Sequence, residues 1–122
     1  MSNVTEAAPE LAYSLGPAEQ IPMGEGRLFQ IEDTVIAVFR TRQGKFYATQ
    51  ANCPHKNGPL IDGLVGGGQI VCPLHAYKFD LATGSPVGND CSALKTYEIL
   101  VTETGEILLM PEAQSRTNEV DE

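Results

Sequence analysis

Histidine is scarce in this 122-residue chain, which has two, and cysteine numbers three. That scarcity excludes much metal-dependent catalysis. A mononuclear iron site of two histidines and a carboxylate could be built only by using both histidines, leaving none for any second metal site. Lysine and arginine total 8 against 16 aspartates and glutamates, a net charge of -8, and the cations form no cluster. Phosphate groups therefore meet no electrostatic footprint, which argues against nucleic acid as a partner. No apolar run approaches ~18 residues, so no membrane-spanning helix is expected. The opening MSNVTEAAPE has neither a basic n-region nor an apolar h-region. It predicts no signal peptide, and the cytoplasm is the expected compartment.

A 3.6-residue apolar period is missing as well, since no window sustains one over ten or more positions. Short alternating apolar runs, broken by Gly and Pro, dominate from residue 27 onward and predict an all-β chain. The expected strands are residues 11–15, 27–31, 34–40, 45–50, 69–72, 78–80, 94–101 and 106–110, with one helical turn near 17–20. Glu32-Asp33, Arg42-Gln43-Gly44 and Glu103-Thr104-Gly105 read as hairpin-like connectors. Asp62-Gly63 and Gly66-Gly67-Gly68 read as further punctuation. One domain is expected over residues 11–110, without internal repeats. Residues 1–10 carry two acidic groups and no basic one, and residues 111–122 carry four acidic groups and one basic. These ends are expected to be a flexible segment and a disordered acidic tail.

The scarce residues are not scattered. Cys53-Pro54-His55 is followed, after sixteen residues, by Cys72-Pro73-Leu74-His75. Each short segment offers one thiolate and one imidazole, and together they use both histidines and two of the three cysteines. Two further runs, NCPHKNGPL (52–60) and VCPLHAYKFD (71–80), continue the pattern, as do Leu81-Ala82-Thr83-Gly84 and Leu94-Lys95-Thr96-Tyr97. On these residues the chain resembles the Rieske [2Fe-2S] family. The wording outside the boxes is most similar to the ferredoxin-like small subunits of assimilatory NAD(P)H nitrite reductases. Ferredoxins of aromatic-ring dioxygenases are near neighbours.

The resemblance implies a Rieske-type antiparallel β-sandwich or partly open barrel, with a small cluster-binding lobe of two loops. It implies one [2Fe-2S] cluster per chain, with His55 and His75 on one iron and Cys53 and Cys72 on the other. Two thiolates and two sulfides neutralise two ferric irons, whereas four thiolates would leave a dianion. An electron is added more readily to the neutral core, so His ligation raises the reduction potential, roughly -150 to +300 mV against about -400 mV for plant-type clusters. High-potential members place serine and tyrosine hydroxyls two and four residues after the second His. This chain has Tyr77 and Phe79 there, which predicts the low end of the range.

Such a centre suits electron delivery from a flavin reductase to a siroheme nitrite reductase large subunit, in nitrate assimilation, or to an oxygenase. No flavin, nicotinamide or siroheme domain fits in the remaining length, so no catalytic site of the chain's own is expected. The cross-linking cysteines of the respiratory branch would fall at Gly58 and Leu74, and neither residue can form a disulfide. Lys56, Asn57, Leu74 and Tyr77 are candidates for a docking rim, and Pro86 for a third loop shielding the cluster. Cys91 reads as a small buried or half-buried hydrophobe. The alternative from a different class is a zinc-binding structural module, since two Cys and two His also satisfy tetrahedral zinc.

Overall fold

The computed structural model describes residues 12–54, 58–74 and 76–110. The expected ligands His55 and His75, the rim candidates Lys56 and Asn57, and both expected tails lie outside the described residues. Among the described residues the strands are β1 (Tyr13–Pro17), β2 (Glu25–Ile31), β3 (Thr34–Arg40), β4 (Phe46–Gln50), β5 (Leu64–Gly66), β6 (Gln69–Val71), β7 (Lys78–Asp80), β8 (Pro86–Val87), β9 (Thr96–Tyr97), β10 (Ile99–Val101) and β11 (Glu106–Leu109). Two short 3-10 turns, Ala18–Gln20 and Leu60–Asp62, accompany them. The all-β expectation holds, as antiparallel sheets that do not close into a barrel.

The described residues divide into two compact units, residues 12–20 with 97–110, and residues 21–96. In the first, β11 lies between β1 and β10, antiparallel to both. Its Ile107, Leu108 and Leu109 are buried, as is Leu15 of β1. The register of β1 slips between Ser14 and Gly16, and Gly16 takes φ +94 there. A residue without Cβ absorbs that bulge cheaply.

The second unit holds Cys53 and Cys72. Its β2, β3 and β4 form an antiparallel meander, with β3 central. Ile36, Ala37, Val38 and Phe39 are consecutive and all buried, so β3 is covered on both faces. Beta-branched and aromatic residues suit such a strand. Gln50 extends the β4 edge, its N–H donating to Lys95 O at 2.8 Å and its Oε1 accepting from Lys95 N at 2.7 Å. A second meander runs β5-β6-β7-β8.

Two strands of that second meander, β5 and β8, were not expected. Both are too short to show a period, Gly66 reads as punctuation, and Pro86 reads as part of a loop. Pro86 is tolerated because β8 is an edge strand, where a missing N–H interrupts no central ladder. The expected single strand 94–101 is two, broken at Glu98, whose carbonyl instead accepts from Met110 N at 2.9 Å. Hairpin geometry matches expectation at Glu32, with φ +55, and at Gly44 and Gly105. The core of the second unit contains Ala37, Phe39, Leu60, Ile70, Phe79, Leu81 and Leu94, and with them Cys53 and Cys72.

Candidate metal centre

Both cysteine boxes are loops that leave a strand and are closed in the same way. After β4, the Cys53 N–H donates to Gly58 O at 2.8 Å. After β6, the Cys72 N–H donates to Tyr77 O at 2.7 Å. In each loop the peptide N–H of the cysteine is tied to the carbonyl five residues on, which fixes where its side chain starts. The first loop is further pinned by the Asn52–Pro59 bridge and by Leu60 N donating to Ala51 O at 3.1 Å. Pro54 and Pro73 follow the cysteines, where a fixed φ stiffens the turn and no donor is missed.

The two thiols converge. Cys53 is 0% exposed and Cys72 1%, and both are packed within one core. Neither is in a disulfide. Burial pushes the Cys72 thiol above its ordinary range, the Leu74 N–H donated to its Sγ at 3.4 Å pulls it down, and the neighbouring Cys53 and Cys91 push it up again. Two buried, unlinked thiols side by side fit a pair of ligands to one iron. Three metal-ligating side chains do not gather among the described residues, and His55 and His75 stand outside them.

Cys91 joins this neighbourhood, which its isolation in sequence did not signal. It packs, half-buried, against the core that holds Cys53 and Cys72. Burial raises its thiol too, with the charges of Cys53 and Asp90 adding to the effect. Asn89 sets its position: the Asn89 amide donates to Lys78 O at 3.1 Å, and its Oδ1 accepts from Cys91 N at 2.9 Å. Residues 87–91 are thereby stapled to β7. A groove of about 790 Å³ opens there, lined by Ala76, Tyr77, Lys78, Val87, Asn89 and Cys91 among others. The third-loop expectation at Pro86 is thus displaced: Pro86 pairs with Phe79 in the sheet, and the stretch from Val87 to Cys91 flanks the second box. Of the rim candidates described, Leu74 is exposed and Tyr77 is half-buried against the core.

Ala76, the residue after His75, adopts φ +57. A Cβ is strained in this left-handed region, and nothing in the sequence marked it. Ala76→Gly should stabilise the metal-free protein by ~0.5 kcal/mol, the relief of that strain less the added freedom of the unfolded chain. Urea denaturation checks it, and a lower midpoint for the glycine variant would contradict the strain.

Residues 12–98 match the Rieske [2Fe-2S] domain family. The chain is 37% identical over 102 residues to the 3-phenylpropionate/cinnamic acid dioxygenase ferredoxin subunit of Escherichia coli K12, covering 80% of this chain and 92% of that one. A 45-residue stretch, 37% of the chain, is 47% identical to the 4beta-methylsterol monooxygenase of Methylococcus capsulatus and spans 12% of that protein's length. In fold, the chain is similar to a Mycobacterium tuberculosis structure named as an NADH-dependent nitrite reductase small subunit. The TM-score is 0.74 at 23% identity, covering 81% of this chain and 93% of that one.

Proposed function

Since the chain belongs to the Rieske [2Fe-2S] domain family, we propose that it is the ferredoxin component of a multicomponent oxygenase, receiving single electrons from a flavin reductase. The observation that carries this reading is the 37% identity to a dioxygenase ferredoxin subunit over nearly that protein's whole length. When bound, the [2Fe-2S] cluster supplies a one-electron couple. The protein's part is to hold and tune it. Cys53 and Cys72 would hold one iron, and His55 and His75 the other. The two closed loops fix the thiols before the metal arrives, which lowers the ordering cost of binding. Leu74 N–H stabilises negative charge on the Cys72 sulfur. Phe79 is buried and offers no hydroxyl, which supports a potential at the low end of the Rieske range.

A second reading, the small subunit of a nitrite reductase, is favoured by the Tyr77-Lys78-Phe79-Asp80 run and by the segment from Cys91 to Tyr97. Its partner would be a siroheme large subunit. In both readings catalysis belongs to the partner. The three unpaired thiols support a reducing, cytoplasmic setting. Among the described residues no helix is long and apolar enough to cross a membrane.

Reconstitution discriminates the two. The holoprotein is mixed with a flavin reductase and NADH, then given either a ring-hydroxylating oxygenase lacking its own ferredoxin or a siroheme nitrite reductase large subunit. Hydroxylated product in the first mixture alone is the expected result. Nitrite consumption in the second alone would transfer the assignment to the second reading. Turnover in neither, with a fully loaded and reducible cluster, would refute both.

A further inference from the structure

Gly58 lies directly against the second cysteine box. A Cβ built on it would stand 3.0 Å from both Cγ and Cδ1 of Leu74 and 3.2 Å from Cys72 Sγ. The Leu74 side chain therefore packs against Gly58 of the first loop, at the side of Gly58 that also faces the Cys72 sulfur. Its own N–H donates to that same sulfur at 3.4 Å. The side chain is partly wet, since Leu74 is 40% exposed while Cys72 beneath it is 1% exposed. One residue thus has an inner face against Gly58, beside the Cys72 sulfur, and an outer face in solvent.

We propose that Leu74 is a positioning residue for electron transfer, an apolar latch seated on Gly58 that joins the two ligand loops and keeps water from the Cys72 sulfur. This rests on the reading of Cys72 as an iron ligand. The reduced centre carries one more negative charge than the oxidised one, and part of it resides on the ligand sulfurs. Water beside a sulfur stabilises the reduced form, so a dry sulfur holds the potential down. Gly58 is required because any side chain there would displace the latch.

The test measures midpoint potential and cluster lifetime in air on the full-length holoprotein, with iron and sulfide quantified on every sample. Leu74→Ala should shift the potential upward and lose its cluster several-fold faster, whereas Leu74→Met should behave as the parent does. Gly58→Ala should shift the potential in the same direction by pushing Leu74 outward. In the double variant the alanine Cβ occupies the space Leu74 vacates, so its shift should be smaller than the sum of the singles. Should Leu74→Ala load poorly, Leu74→Val serves in its place, with a smaller upward shift expected. An unchanged or lowered potential in a fully loaded Leu74→Ala or Leu74→Val protein overturns the latch, as do additive shifts in the double variant. Failure of the ligand reading looks different: a Cys72→Ala protein that still holds two irons and two sulfides removes the premise, whatever Leu74 does.

Discussion

Cys53→Ala and Cys72→Ala proteins are expected to purify without a cluster, while Cys91→Ala keeps a full complement of iron and sulfide. The contrast is sharp because all three thiols occupy one neighbourhood yet differ in burial and in the segments that hold them. Cys53 and Cys72 are almost completely buried, each starting a loop closed by its own peptide N–H. Cys91 comes from a different segment, is half-buried beside the groove, and is held by Asn89 rather than by a loop of its own. Losing one ligand leaves a buried thiol unpaired and the metal short of a bond. Because binding free energy of a metal centre is also folding free energy, these two variants should melt at lower temperature than the loaded parent. Iron and sulfide analysis with EPR of the dithionite-reduced samples checks the prediction. A loaded Cys72→Ala protein would remove Cys72 from the ligand set, and a colourless Cys91→Ala protein would make Cys91 a ligand.

The family was legible in sequence because the residues of the two boxes are rare and paired. Two segments, each with one Cys and one His, leave little freedom about chemistry once thiolate and imidazole are recognised as a mixed ligand set. The long strands were equally readable: β3 is a continuous run of apolar and beta-branched residues, and its ends fall where expected. What escaped has physical causes. Strands of two or three residues such as β5 and β8 cannot display a period of two. They are strands because the adjacent hairpin arm, β6 for β5 and β7 for β8, supplies their hydrogen bonds, and so short an arm carries no pattern of its own. The positive φ of Ala76 is imposed by the closure of a tight loop on a residue with no preference for it. Cys91 looked solitary because its neighbours Cys53 and Cys72 are distant in sequence. Gly63 reads as punctuation in the sequence, yet a Cβ there would collide with the Val71 carbonyl. Its role is spatial, and the sequence around it offers no sign of that.

Gly63→Ala is expected to be among the most damaging single substitutions in the second unit. Its backbone, at φ -86 and ψ -173, is ordinary for any residue, so conformational strain is not the cause. The cause is a collision. An added Cβ would fall 2.0 Å from the carbonyl oxygen of Val71 and 3.2 Å from that of Leu60. Both obstacles are backbone, so no side-chain rotation relieves them. Val71 pairs with Leu64, the residue after Gly63, and immediately precedes Cys72. To make room, β5 and β6 must separate, which strains the ladder and moves the start of the second cysteine loop. Overpacking of this kind costs ~3 kcal/mol. Gly66 supplies the control: it lies in the same hairpin, three residues on, and a Cβ there meets nothing within 4 Å. Gly66→Ala should change stability by less than ~0.5 kcal/mol. Urea denaturation of the metal-free proteins, with iron content after reconstitution, compares the two. The expected pattern is a large drop in both quantities for Gly63→Ala alone. Equal midpoints would mean that the β5-β6 hairpin can shift without cost, and the close approach of Gly63 to Val71 would then not position Cys72.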